Sequence, residues 1–141
     1  TQDIEEIAAL VADLMADGLL PAEGAVGLDP YGVAALVDEM SARGVTDEMM
    51  APIRQGAALS PAIWGLERKL KDGTFVHCDQ PLMTWVLGNA IAEQRGNAIL
   101  ITKQTAGKAK IDPLMALFNA VMLMARNPEP ARRAELRVRT L

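Results

Sequence analysis

The sequence predicts an α/β fold. Three observations carry that prediction: stretches with a helical apolar stripe alternate with short apolar runs, Gly, Pro or Asp-Pro punctuates them, and half of the 141 residues are apolar while 23% are charged. Alternation of this kind favours parallel strand pairing through right-handed crossovers. A chain of this length forms one domain and buries roughly two thirds of its surface.

Residues 3–17 place Ile4, Ile7, Ala8, Leu10, Val11, Leu14 and Met15 at the spacing of an amphipathic helix, and Gly18 stops it. The run Ala25-Val26-Gly27-Leu28 reads as a buried strand halted by Asp29-Pro30. A second helix follows over residues 31–43, with Gly44 as its stop. Residues 49–54 predict a second strand, and Pro52 inside it points to an edge position. Ser60-Pro61 opens a third helix, with a hydroxyl N-cap, Pro at the first helical position and Ile63, Leu66 and Leu70 behind; Gly73 closes it. Thr74-Phe75-Val76 reads as a short extended piece, and Pro81 starts a fourth helix running to about Gln94. Gly96-Asn97 then turns into the apolar strand at residues 98–101, followed by an exposed polar loop at residues 102–110. The last helix, residues 111–125, is apolar almost all round and is therefore predicted to be enclosed on most sides. A basic tail with Arg132, Arg133, Arg137 and Arg139 follows.

Composition narrows the function. One cysteine excludes an internal disulfide framework and a Cys-based zinc site, and suits a reducing compartment. The longest nearly apolar run, residues 114–125, is 12 residues long and contains Asn119, against the about 20 residues that a membrane span requires. The acidic start of the chain does not resemble a secretory signal, and Thr1 in place of Met is what a piece of a longer chain would show. The net charge of −4 conceals a split: residues 1–58 carry two basic and eleven acidic side chains, and residues 59–141 carry twelve basic and seven acidic. Such a division lets one surface meet a polyanion while another repels it, although ordinary solvated helix faces also produce it.

Two aspartates stand out. Asp29 directly follows a strand, and ligands in open α/β sheets bind beyond the carboxyl ends of strands. Asp112 opens the most apolar helix of the chain, where a carboxylate is held by the packed core behind it. Each also has the form of a helix cap, Asp before Pro, and position alone favours that plainer role at both. His77, Cys78 and Asp79 are adjacent, cannot easily face one ion, and read as a turn. The eight methionines fall mostly at core spacing, and Trp64 and Trp85 on apolar helical faces are predicted core or interface anchors. No Gly-rich dinucleotide loop, Walker A loop, nucleophile elbow or His-Glu-x-x-His motif is present.

Several pieces, in this order, resemble the C-terminal nuclease half of a tailed-phage large terminase subunit. They are Gly27-Leu28-Asp29-Pro30-Tyr31-Gly32, then Arg54-Gln55-Gly56 with Leu59-Ser60 and Leu66-Glu67. Gly73 with His77, Pro81-Leu82-Met83-Thr84-Trp85 with Asn89, and Lys108-Ala109-Lys110-Ile111-Asp112 complete the set over residues 3–126. Each motif is short, and their order and spacing are the specific part.

The resemblance implies a ribonuclease H-like fold, with the nuclease part at residues 1–126 and a basic tail at 127–141. It implies a metal-dependent endonuclease that cuts concatemeric phage DNA during packaging in the bacterial cytoplasm. Asp29 and Asp112 become the catalytic, metal-binding acids for Mg²⁺ or Mn²⁺, and Lys103, Lys108 and Lys110 the contacts to double-stranded DNA. In the whole family protein the partners are the small terminase subunit and the portal. The family's first catalytic acid lies on an upstream strand, among antiparallel strands that this sequence does not include. The fold is thus expected to be incomplete, the two-metal site short of a ligand, and the chain by itself weakly active or inactive. A strand at residues 25–28 with an unfilled edge is expected to pair with another copy. The competing expectation is a non-catalytic α/β interaction module whose aspartates are only helix caps.

Overall fold

Three helices stop where glycine allows the chain to turn left-handed. In the structure, a computed structural model that describes residues 1–104 and 109–129, α1 spans Gln2–Ala16, α2 Ala34–Ala42 and α3 Ser60–Lys71. After each, a glycine with positive φ (Gly18, Gly44, Gly73) and the residue beyond it donate backbone hydrogen bonds back into the last turn. That is the double closure expected of a glycine-terminated helix.

Between them lie two three-residue strands, β1 (Val26–Leu28) and β2 (Met50–Pro52), paired parallel with Val26 opposite Met50, Gly27 opposite Ala51 and Leu28 opposite Pro52. The predicted parallel pairing is therefore present. Ile53 N–H donates to Leu28 O at 2.8 Å, so the nitrogen of Pro52 faces away from β1, towards the outer edge. Side chains alternate across the pair. Val26, Leu28 and Met50 pack on a core of Ala8, Met40, Val45 and Met49 beneath α1 and α2. Ala51 belongs instead to a larger core with Ile53, Leu59, Ala62, Ile63, Leu66, Val86, Leu114, Phe118 and Leu123, on the side of α3 and α5 (Asp112–Met124). A thin parallel sheet covered by helices on both faces is the arrangement that α/β alternation predicts.

The second sheet differs from expectation. Helix α4 covers only Pro81–Gly88; residues 90–94, expected to continue it, belong to β3 (Ala90–Arg95), which pairs antiparallel with β4 (Ala98–Lys103). Gly96 (φ +59°) and Asn97 join them, and only the first of these two turn residues has positive φ, the type II′ hairpin pattern. Helix-favouring Ala, Glu, Gln and Arg in β3 are overridden by six residue pairs to β4. On β3, Glu93 accepts hydrogen bonds from Arg95 and Thr102, which hold its carboxyl below the usual glutamate value. Residues 74–76 form no strand.

Ser60 also departs from its predicted role. It is the first residue of α3 rather than its cap, and its hydroxyl bridges elsewhere: Oγ donates to Ala57 O at 2.8 Å and accepts Ile99 N–H at 3.0 Å. The hydroxyl thereby ties the start of α3 to β4. The tryptophans are not core residues, with Trp64 41% and Trp85 51% exposed. The methionine expectation holds best at Met40 and Met49, which are buried, whereas Met124 is exposed. Helix α5 is wholly buried along Leu114, Phe118, Asn119 and Leu123 and half-buried on much of the remainder. Among the described residues no helix is long and apolar enough to cross a membrane. Lys108 and the arginines of the tail lie outside the described residues.

Candidate functional site

Asp29 leaves β1 at its carboxyl end, as its position in the sequence suggests. Its carboxylate does not cap α2, which begins at Ala34 with Val33 as N-cap. Oδ1 instead accepts the N–H of Tyr31 at 3.1 Å, a two-residue side-chain turn. One carboxylate oxygen is thus held by the backbone.

Asp112 is the first residue of α5, behind the N-cap Ile111 and before Pro113, and no side-chain cap bond is made. The carboxylate stands exposed at a helix N-terminus, where the backbone dipole favours negative charge. The cap role that local sequence favoured is therefore absent at both aspartates.

The packing of α5 on β1 fixes where the two lie relative to each other. Space beside Gly24 is bounded by Leu123, while space beside Gly27 is bounded by Leu123 and by Asn119, one turn earlier in the helix. Moving up the strand therefore means moving back down the helix, so β1 and α5 run antiparallel. From Gly27, Asp29 is two residues further, about 7 Å along the strand. From Asn119, Asp112 is seven residues in the same direction, about 10 Å along the helix. Both aspartates sit at one end of the β1–α5 layer.

The lysines meet that same helix end. Asn89, at the junction of α4 and β3, accepts Gln104 N–H at 2.9 Å on its backbone carbonyl and donates from Nδ2 to Lys110 O at 3.0 Å. Gln104 Nε2 adds a bond to Gly88 O at 2.9 Å. These bonds bring the end of β4, with exposed Lys103, beside exposed Lys110 and the start of α5. Asn89 was recognisable only as a motif member; its expected place inside a helix concealed its bridging role.

A second amide cluster lies behind the aspartates. Gln55 Nε2 donates to Ile53 O at 2.8 Å and to Asn119 Oδ1 at 3.0 Å, and Asn119 Nδ2 approaches Gly27 O at 3.5 Å. The signal for it was the single polar residue, Asn119, in the apolar run of residues 114–125.

Chemically, the aspartates offer hard oxygen donors of the kind Mg²⁺ and Mn²⁺ take. Among the described residues no group of three or more His, Cys, Asp and Glu is placed to hold a metal. Two carboxylates with water suit one divalent cation and fall short of a two-metal set. His77 is engaged in its own turn, with Nδ1 accepting Asp79 N–H at 3.1 Å, and Cys78 is exposed. A cavity of about 720 Å³ is lined by Gly24, Glu48, Leu123, Arg126 and Glu129 at the opposite end of β1 and α5, and neither aspartate borders it.

Neither the curated proteins nor the solved structures yield a significant match. The family described as the terminase large subunit, endonuclease domain, matches residues 2–129. The chain therefore belongs to the endonuclease domain family of the terminase large subunit, whose members package and cut phage DNA.

Proposed function

We propose that this chain contributes to a divalent-metal-dependent endonuclease acting on double-stranded phage DNA, with Asp29 and Asp112 as the metal-holding carboxylates. The observation that carries the reading is the antiparallel packing of β1 on α5, which sends both aspartates to one end of that layer. Bound there, Mg²⁺ or Mn²⁺ would polarise a phosphodiester and lower the pKa of a water. The residues of the chain have the simpler tasks. Asp29 presents its carboxylate from a turn fixed by Tyr31 N–H, and Asp112 presents its own from a helix N-terminus. Lys103 and Lys110, and Lys108 by its place in the sequence, would hold the phosphate backbone. A ribonuclease H-like fold fits β1 and β2 with helices on both faces, and the small terminase subunit and portal are the partners this reading implies.

With only two acidic ligands the chain alone binds one cation and cleaves weakly or not at all. The reading as an interaction module took the two aspartates as helix caps and the basic tail as a docking segment, and neither aspartate makes a cap bond. The test is Mn²⁺ binding, followed by loss of the free-ion paramagnetic resonance signal, together with plasmid nicking. The wild-type protein is expected to withdraw Mn²⁺ from solution, and Asp29→Asn and Asp112→Asn each to abolish this. No Mn²⁺ uptake by the wild type refutes the ligand pair. Nicking that is efficient and lost in Asp29→Ala refutes the expected inactivity.

A further inference from the structure

Helix α5 is apolar at nearly every position, so its grip on β1 is a matter of side-chain packing, which specifies depth better than sliding along the axis. One element does specify the slide. Asn119 is 7% exposed, the single buried amide of the helix, and it faces Gly27 on β1. Its Oδ1 accepts Gln55 Nε2 at 3.0 Å, and Gln55 is itself tied to Ile53 O at 2.8 Å, directly beyond β2. Its Nδ2 is directed at Gly27 O, 3.5 Å away. One polar bridge thus joins both parallel strands to a single turn of α5. Shifting the helix by one residue, about 1.5 Å, would break the bond to Gln55 and leave buried amide groups unpaired.

Gly27 makes the bridge reachable. A Cβ there would lie 3.1 Å from Ile53 and Leu123 and 3.2 Å from Asn119 Cβ, so the helix approaches the strand at its one side-chain-free position. The two contacting positions lead directly to the aspartates: Gly27 is two residues from Asp29, and Asn119 two turns from Asp112.

We infer that Gln55 and Asn119 are positioning residues that set the register of α5 on β1 and thereby the spacing of the Asp29 and Asp112 carboxylates. This inference rests on the reading of those aspartates as a metal-holding pair. Asn119 itself touches neither the cation nor DNA; it acts through the helix that carries Asp112. The prediction separates positioning from stability. Replacing one partner of a buried bond leaves the other without it, so Asn119→Leu strips Gln55 Nε2 and Gly27 O of that contact and costs stability as well as register. Asn119→Leu is therefore expected to lower the metal-free unfolding midpoint, while Mn²⁺ affinity measured per folded molecule also falls about tenfold, as when a group that orients a metal ligand is removed.

The experiment titrates Mn²⁺ into the 141-residue chain by paramagnetic resonance, with unfolding midpoints measured metal-free. It compares wild type, Asp29→Asn, Asn119→Leu, Gln55→Asn, Asn119→Gln and the Gln55→Asn/Asn119→Gln exchange. The exchange keeps the summed length of the two amide side chains, so it is expected to regain affinity that each single change loses. Wild-type affinity in Asn119→Leu overturns the inference, as does a lowered midpoint accompanied by unchanged affinity, the signature of a structural clamp alone. If Asp29→Asn loses the ion and Asn119→Leu keeps it, this inference fails while the ligand pair stands. If the wild type takes up no Mn²⁺, both fall together.

Discussion

Gly27 has little room for a side chain. Ile53, Leu123 and Asn119 all lie within 3.2 Å of the point a Cβ would occupy. Gly27→Ala is accordingly expected to destabilise by about 1–3 kcal/mol through overpacking, read as a fall in the urea midpoint with unchanged slope. A glycine with open space, Gly65, provides the control. The positions of Asp29 and Asp112 were legible, because a strand end and an Asp-Pro step are local signals. What they do not do was not legible. At Asp29 the chain spends Tyr31, Gly32 (φ +74°) and Val33 on a turn before α2 starts, too far for a cap. At Asp112 the helix starts one residue early, so the carboxylate is inside the first turn. A shift of a residue or two at a helix start is below what propensity resolves, yet it decides which oxygen atoms stay free.

Among the elements, the join between α3 and β4 depends on one hydroxyl. Ser60 is 4% exposed, and its Oγ serves Ala57 O and Ile99 N–H. Ser60→Ala leaves both backbone groups without that partner and is expected to cost about 1–3 kcal/mol, with faster amide exchange at Ile99 as the local readout. Sequence patterning found α1, α2, α3, α5 and both parallel strands because each is an apolar or amphipathic stretch bounded by Gly, Pro or Asp-Pro. It missed β3, whose residues favour a helix singly and become a strand only through β4. The turn at Gly96-Asn97 was visible; that it joins two strands, not a helix to a strand, is a tertiary fact carried by the register of Ala90 against Lys103 through Arg95 against Ala98.

Over the whole molecule, β1 pairs with β2 alone among the described residues, and large apolar side chains stand in solvent: Val76 (89% exposed), Leu82, Leu87 and Trp85. An open strand edge and apolar surface both promote association. Sedimentation velocity over a range of concentrations is expected to show reversible dimer formation, and a monomer at every concentration would refute pairing through the β1 edge. Helices α1 and α2 carry six of the eighteen acidic residues and no basic one, while the backbone at Lys103 and Lys110 is drawn to the start of α5 through Asn89. Of the two roles expected for Trp64 and Trp85, their exposure removes the core one, because an apolar helical face says that something covers it, and not which molecule does.

The two cores touch opposite sides of a sheet only two strands wide and three residues deep. So slender a partition can hold one side while the other breathes. Any loosening of the smaller core would reach Asp29 through Val26 and Leu28, which pack on it, whereas Asp112 is carried by α5 on the larger core.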